Sequence, residues 1–208
     1  MRSPAPCRRG FGGGFTLIEL LVVVALIAFL SVAMGLAWRG GEDASRLAAG
    51  ETALAGYVQL ARGQAALHRQ PVRVLVLADP ARRDRHLRWI GAVRRDPADP
   101  ARWIAVDDGI LLAEGVFFWP AETGLRLGEM RLDYPRAAPV AEGGGGSWLY
   151  WEIGTNGTLS AGGSLVLARA RWAPGEAAPA FGEVEHWGGF LLSRSGAVHR
   201  PGRPEDLR

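Results

Sequence analysis

The chain contains a single cysteine, no lysine and only four histidines in 208 residues. Cys7 precedes the first long apolar run, so a disulfide framework, a cysteine metal site and a lipid anchor following that run are all excluded. Packing alone must therefore hold any folded head together. All basic residues are arginines, and with 29 glycines and 13 prolines a coding bias explains this better than selection for guanidinium chemistry. His68, His86, His186 and His199 do not fall at metal-ligand spacings such as H-E-x-x-H. The net charge is only +3, and Arg2, Arg8 and Arg9 account for it. The neutral remainder offers no general attraction to nucleic acid, which would need a local patch. No repeat of fixed period is present.

What the chain does have is the stretch Phe15 to Trp38. Between Glu19 and Arg39 lie about nineteen uncharged residues, which at about 1.5 Å rise nearly cover a hydrocarbon core of about 30 Å. This predicts a membrane-spanning helix over 15–38, since a lone segment in lipid satisfies its backbone only as a helix. Glu19 sits near its start, and an acid within such a run wants a positive partner. Cutting between Gly14 and Phe15 would supply one, because the new amine lies a helical turn from Glu19 or meets the Glu19 of a neighbouring copy. Two alternatives remain: an unpartnered acid at headgroup level, or a secretory signal cut near Ser31-Val32-Ala33 that would release a soluble protein.

Arg8, Arg9, the glycines ending at Gly14, and then Phe15-Thr16-Leu17-Ile18-Glu19-Leu20-Leu21-Val22-Val23 resemble the class III signal of the type IV pilin and type II secretion pseudopilin superfamily. The resemblance implies that prepilin peptidase removes the 1–14 leader. It further implies N-methylation of Phe15 and use of Glu19 in subunit docking. The basic leader would face the cytoplasm, in keeping with the positive-inside rule.

From Arg39 to Gln70 the period is helical. Leu47, Leu54, Val58, Ala61 and Ala65 form one stripe, with Arg46, Glu51, Gln59 and Arg62 mostly off it. This predicts an amphipathic continuation of the helix over 39–70, ended by Pro71. Gly35, Gly40 and Gly41 predict a bend or soft point at the junction. Beyond Pro71 the period becomes two. Strands are expected at 72–77, 87–93, 102–106, 116–119, 125–127, 147–153, 164–170 and 189–193, with turns such as Asp107-Asp108-Gly109 and Asn156-Gly157 between them. Tyr134–Gly146 and Ala173–Phe181 read as loops, and 201–208 as a frayed tail. The fold class is therefore α+β, a long N-terminal helix packed on an antiparallel β-sheet head at 71–208, and the resemblance makes it pilin-like.

No catalytic constellation emerges, so no catalytic residue, cofactor or metal is assigned and the head is read as non-enzymatic. Glu183-x-Glu185-His186 is only a weak cation pattern, Asp107 and Asp108 suit a turn, and Ser193 and Ser195 lack a nucleophile-elbow context. Arg82, Arg83, Arg85 and Arg88, continuing through Trp89 to Arg94 and Arg95, form the strongest basic patch. Phosphate contact with base stacking would use such residues, though the patch reads as a hairpin loop offset by Asp84, Asp96 and Asp99. Trp148 and Trp151, three apart on a strand, face opposite sides of the sheet, so at least one is expected to meet a neighbouring subunit.

The segment Trp151–Leu159, then Leu165–Leu167, then Phe190–Arg200 is similar to the end of the H-type minor pseudopilins (GspH) and the related FimT and FimU minor pilins. Members that bind DNA use arginines there. Ala197 stands where those proteins often carry arginine, leaving Arg194, Arg200 and Arg203 nearby. The resemblance implies a minor pseudopilin of a type II secretion system, or a minor type IV pilin that primes a pilus and captures DNA. Its partners would be prepilin peptidase, other pilin-like subunits in a helical filament, an inner-membrane assembly platform and membrane lipid. The location would be the inner membrane, single-pass, with the head in the periplasm.

Overall fold

The computed structural model describes residues 16–135, 139–173, 175–176, 178–181, 187–201 and 206, with side chains described for these except 32–41. One helix, α1 (Leu17–His68), precedes all the strands. It continues unbroken through Gly35, Gly40 and Gly41, so the glycines do not interrupt it. They do lie beside the point where the chain divides into two compact units, 1–42 and 43–208. At its end Arg69 adopts φ 50° and the Gln70 N–H donates to Ala65 O at 3.2 Å. This left-handed cap precedes Pro71, which cannot continue a helix.

Among the described residues no helix is long and apolar enough to cross a membrane. The apolar run with described side chains covers only 17–31, about 22 Å at helical rise, and the rest of the expected 15–38 span lies outside them.

Within 43–208 the strands are β1 (Val72–Leu77), β2 (Trp89–Arg95), β3 (Arg102–Ala105), β4 (Ile110–Leu111), β5 (Val116–Phe118) and β6 (Gly128–Leu132). They continue with β7 (Val140–Ala141), β8 (Gly146–Ile153), β9 (Gly163–Arg171), β10 (Ala180–Phe181), β11 (Trp187–Leu192) and β12 (Val198–His199). All pair antiparallel. One sheet has the order β6-β8-β1-β2-β3-β7 with β4 on β2, and the other β10-β9-β11-β12 with β5 on β9. The expected strand at 125–127 is instead β6, starting at Gly128. Both expected loops contain short strands, β7 in 134–146 and β10 in 173–181, recruited by edge pairing to β3 and β9.

The helix stripe is as expected: Leu54, Val58, Ala61 and Ala65 are fully buried, and Tyr57 joins them. They share one core with Val72, Val74 and Val76 of β1, Trp151 and Ile153 of β8, and Leu165, Leu167 and Phe190 of the second sheet. The outer face of the first sheet carries its own cluster, with Leu75, Leu77, Trp89, Trp103, Tyr134 and Trp148. Trp148 and Trp151 do face opposite sides, but both are buried, at 1% and 3% exposure. Neither is free for a neighbour, because both faces of this sheet are covered.

Tyr134 is seated where Gly91 leaves space: a Cβ at Gly91 would collide with the Tyr134 ring. Gly91→Ala is expected to destabilise the head by about 1–3 kcal/mol through overpacking. This would be read as a lower urea midpoint at unchanged slope, and an unchanged midpoint would disprove this seating.

Candidate assembly site

The N-terminal unit presents Leu17, Ile18, Leu20, Leu21, Phe29 and Leu30, each more than 60% exposed. A helix apolar on all sides is a helix meant to be covered. Its first turn is closed by a capping box. The Glu19 N–H donates to Thr16 Oγ1 at 3.3 Å, and the Thr16 N–H reaches Glu19 Oε2 at 3.4 Å. This reciprocal pair satisfies helix-end donors that have no partner within the helix. Gly14 and Phe15, the expected processing residues, lie outside the described residues, as do Glu183, Glu185, His186 and Arg203.

The second unit carries the other half of α1. Between Leu47 and Leu67 the helix has two charged residues, Glu51 and Arg62, and both bond to the head. Glu51 Oε1 accepts the Gly189 N–H at 2.8 Å, in a space that a side chain at Gly188 would fill. Burial pushes the Glu51 carboxyl above its usual range, opposed by the Gly189 N–H and by Arg200. Arg62 donates through Nε to Gly157 O at 2.9 Å, through Nη1 to Gly196 O at 2.8 Å, and through Nη2 to Ser195 O at 2.7 Å. It thereby ties both C-terminal turns to the helix. With these two drawn inward, Ala49, Ala53, Gly56, Leu60, Gly63 and Leu67 are left exposed at alternating spacings of four and three. They line one uncharged face about 30 Å long. No neighbouring atom lies within 4 Å of a Cβ placed on Gly56 or Gly63, so this head does not require either glycine.

A further tie joins the helix to the sheet end. The Tyr57 hydroxyl donates to Asp107 Oδ1, which also accepts the Gly109 N–H at 3.0 Å, and the Tyr134 hydroxyl donates to Asp107 O at 2.8 Å, with Oδ1 at 3.2 Å. Burial holds both tyrosines protonated well above the usual range, and the Asp107 carboxylate adds to this. Asp107 serves its turn as expected. Its link to two distant tyrosines was not legible, since nothing local pairs residues 57, 107 and 134.

The expected arginine patch divides. Arg82 and Arg85 are roughly half exposed and sit near Asp79 and Asp84, at 3.7 and 3.4 Å. Arg83 reaches Glu176 O at 3.3 Å, and Arg88 donates to Asp84 O and Leu112 O, each at 2.9 Å. These four lie on a turn before β2, whereas Arg94 and Arg95 belong to that strand. Arg194 O accepts the Leu159 N–H at 2.9 Å, and Arg200 Nη2 donates to Thr52 Oγ1 at 2.8 Å. Arg83 stacks at Trp172, beyond the Arg171 end of β9. Arg194 follows Leu192, which pairs with Gly163 at the other end. Eight steps of strand, about 26 Å, separate those ends, so the two arginine groups are not one patch.

The family model of the prokaryotic N-terminal methylation motif matches residues 13–35. The chain therefore carries the N-terminal signal of type IV pilins and pseudopilins, a signal of structural filament subunits. No curated protein and no solved structure matches the chain.

Arg62→Met keeps the apolar stem but removes every donor. It should cost about 1.5–3 kcal/mol and raise amide exchange at 156–158 and 195–197 ahead of β1. Equal exchange at all sites would mean that Arg62 does not hold these turns.

Proposed function

We propose that this chain is a minor pseudopilin, cut by prepilin peptidase between Gly14 and Phe15 and N-methylated on Phe15, which initiates or caps the pseudopilus of a type II secretion system. Its leader faces the cytoplasm, 15–38 anchors it in the inner membrane, and the head stands in the periplasm. Glu19 exchanges its capping contact with Thr16 for an N-terminal amine when subunits dock. The observation that carries this reading is the exposed uncharged surface of α1 behind a matched methylation motif. Apolar surface of that extent marks an interaction site. It fits packing against helices of other pilin-like subunits and the lipid that precedes them.

A second reading, a minor type IV pilin that primes a pilus and captures DNA, is favoured by the half-exposed Arg82 and Arg85, the latter over the Trp89 ring. It requires duplex binding that weakens steeply with salt, and no binding at about 50 mM salt would dismiss it.

Intact mass and N-terminal sequence of membrane-extracted protein, with and without the peptidase, test the processing. A methylated Phe15 that depends on the enzyme is expected, whereas a terminus near Met34 or an uncut Met1 would overturn the proposal. Gly56→Ala and Gly63→Ala test the helix face. Each should stabilise the isolated protein by roughly 1 kcal/mol through helix propensity and yet weaken co-purification with partner subunits. Unimpaired co-purification would show that nothing packs closely there.

A further inference from the structure

The turn between β1 and β2 carries an unusual concentration of unmet requirements. Leu87 is a non-glycine residue at φ 54°. Its N–H donates to Leu77 O and its carbonyl accepts the Phe118 N–H, both at 2.7 Å, so the surrounding strands impose the left-handed conformation. On one side of it His86 is 7% exposed, with Nδ1 buried and without a hydrogen-bond partner. On the other, Arg88 Nε is buried and likewise unpaired. Three consecutive residues thus hold backbone strain and two orphaned nitrogens, a combination that marks segments poised between two arrangements.

Leu87 and Arg88 anchor the C-terminal end of the turn through backbone and guanidinium hydrogen bonds, and the part before them meets the segment after β9 through aromatic contact. The His86 ring meets Trp172 edge-on, 5.3 Å between centroids at 76°, and the Arg83 guanidinium lies 5.3 Å from the same indole. The charged groups on His86's turn and on the segments that turn touches are of both signs. Its own turn supplies Arg82, Arg83, Arg85 and Arg88 against Asp84, and the end of β1 supplies Asp79. The segment after β9 brings Arg171 and Glu176, and the segment bonded by Arg88 brings Glu114. Burial lowers the pKa of His86 below its ordinary value, with Asp79 opposing. A ring of this kind favours the closed turn when neutral, and that preference is complete above the ordinary histidine value of about 6.5 and fades as pH falls below it.

We propose that residues 82–86 form a proton-released latch, shut while neutral His86 rests on Trp172 and lifted from that indole when His86 is protonated, freeing Arg83. The latch depends on no partner and stands apart from the assembly reading.

Amide exchange by mass spectrometry on the full chain in detergent micelles, corrected for intrinsic rates, tests it between pH 7.5 and 5. Protection at Arg85 and His86 should fall by up to tenfold for each pH unit between about 6.5 and the lower folded-state pKa and then level off, while β1 and β8 stay protected. His86→Phe, and His86→Gln should the first variant fold poorly, should both lose the pH dependence. Unchanged wild-type protection across the range, or an equal pH-dependent loss in both variants, would overturn the latch. Simultaneous loss in β1 and β8 would overturn it as well, since acid would then unfold the whole head.

Discussion

Everything in the head depends on one contact, the burial of the Leu54-Val58-Ala61-Ala65 stripe of α1 under both sheets. Both sheets contribute to that core, and with the only cysteine outside the head there is no covalent substitute. The stripe also decides which way the helix is turned, and so which residues face out. Glu51, Tyr57 and Arg62 flank it and reach Gly189, Asp107 and the two C-terminal turns. Polar bonds at the margins fix rotation and register, while apolar area supplies the driving force.

That arrangement has a consequence for function. Drawing both charges of the 47–67 segment onto the head leaves the opposite face free of charge, although a solvated helix face ordinarily carries many. The same helix begins with the methylation motif and an all-apolar surface. Its two halves thus share one property, surface that water does not favour, for different local reasons. The first half is apolar by composition, the second by the orientation of its few charged residues.

The outer faces follow a different rule. Trp89, Tyr134 and Trp148 contact one another edge-on or tilted over the first sheet. Over the second, Trp119 stacks on Phe181 and meets Trp187 edge-on. Aromatic rings cover much area per residue, which lets the head bury both sides of a sheet with α1 the one α-helix among the described residues. Arg73 completes the first face, its guanidinium held between Trp103 and Tyr150 at 4.3 and 4.1 Å and bonded to Glu152 at 3.0 Å.

Sequence alone determined the parts that depend on local period and local chemistry. Glu19 after a glycine run, the helix stripe, the stop at Pro71 and the longer strands were legible because each is written within a few residues. The two-residue strands β4, β7, β10 and β12 were not, since an edge strand that short exists only through its neighbour. Nor was the fate of Trp148, the split of the arginines along β9, or the inward turn of Glu51 and Arg62. Those belong to tertiary structure, because they depend on which distant carbonyl, ring or glycine space the fold brings within a few ångströms, and no spacing along the chain encodes that meeting.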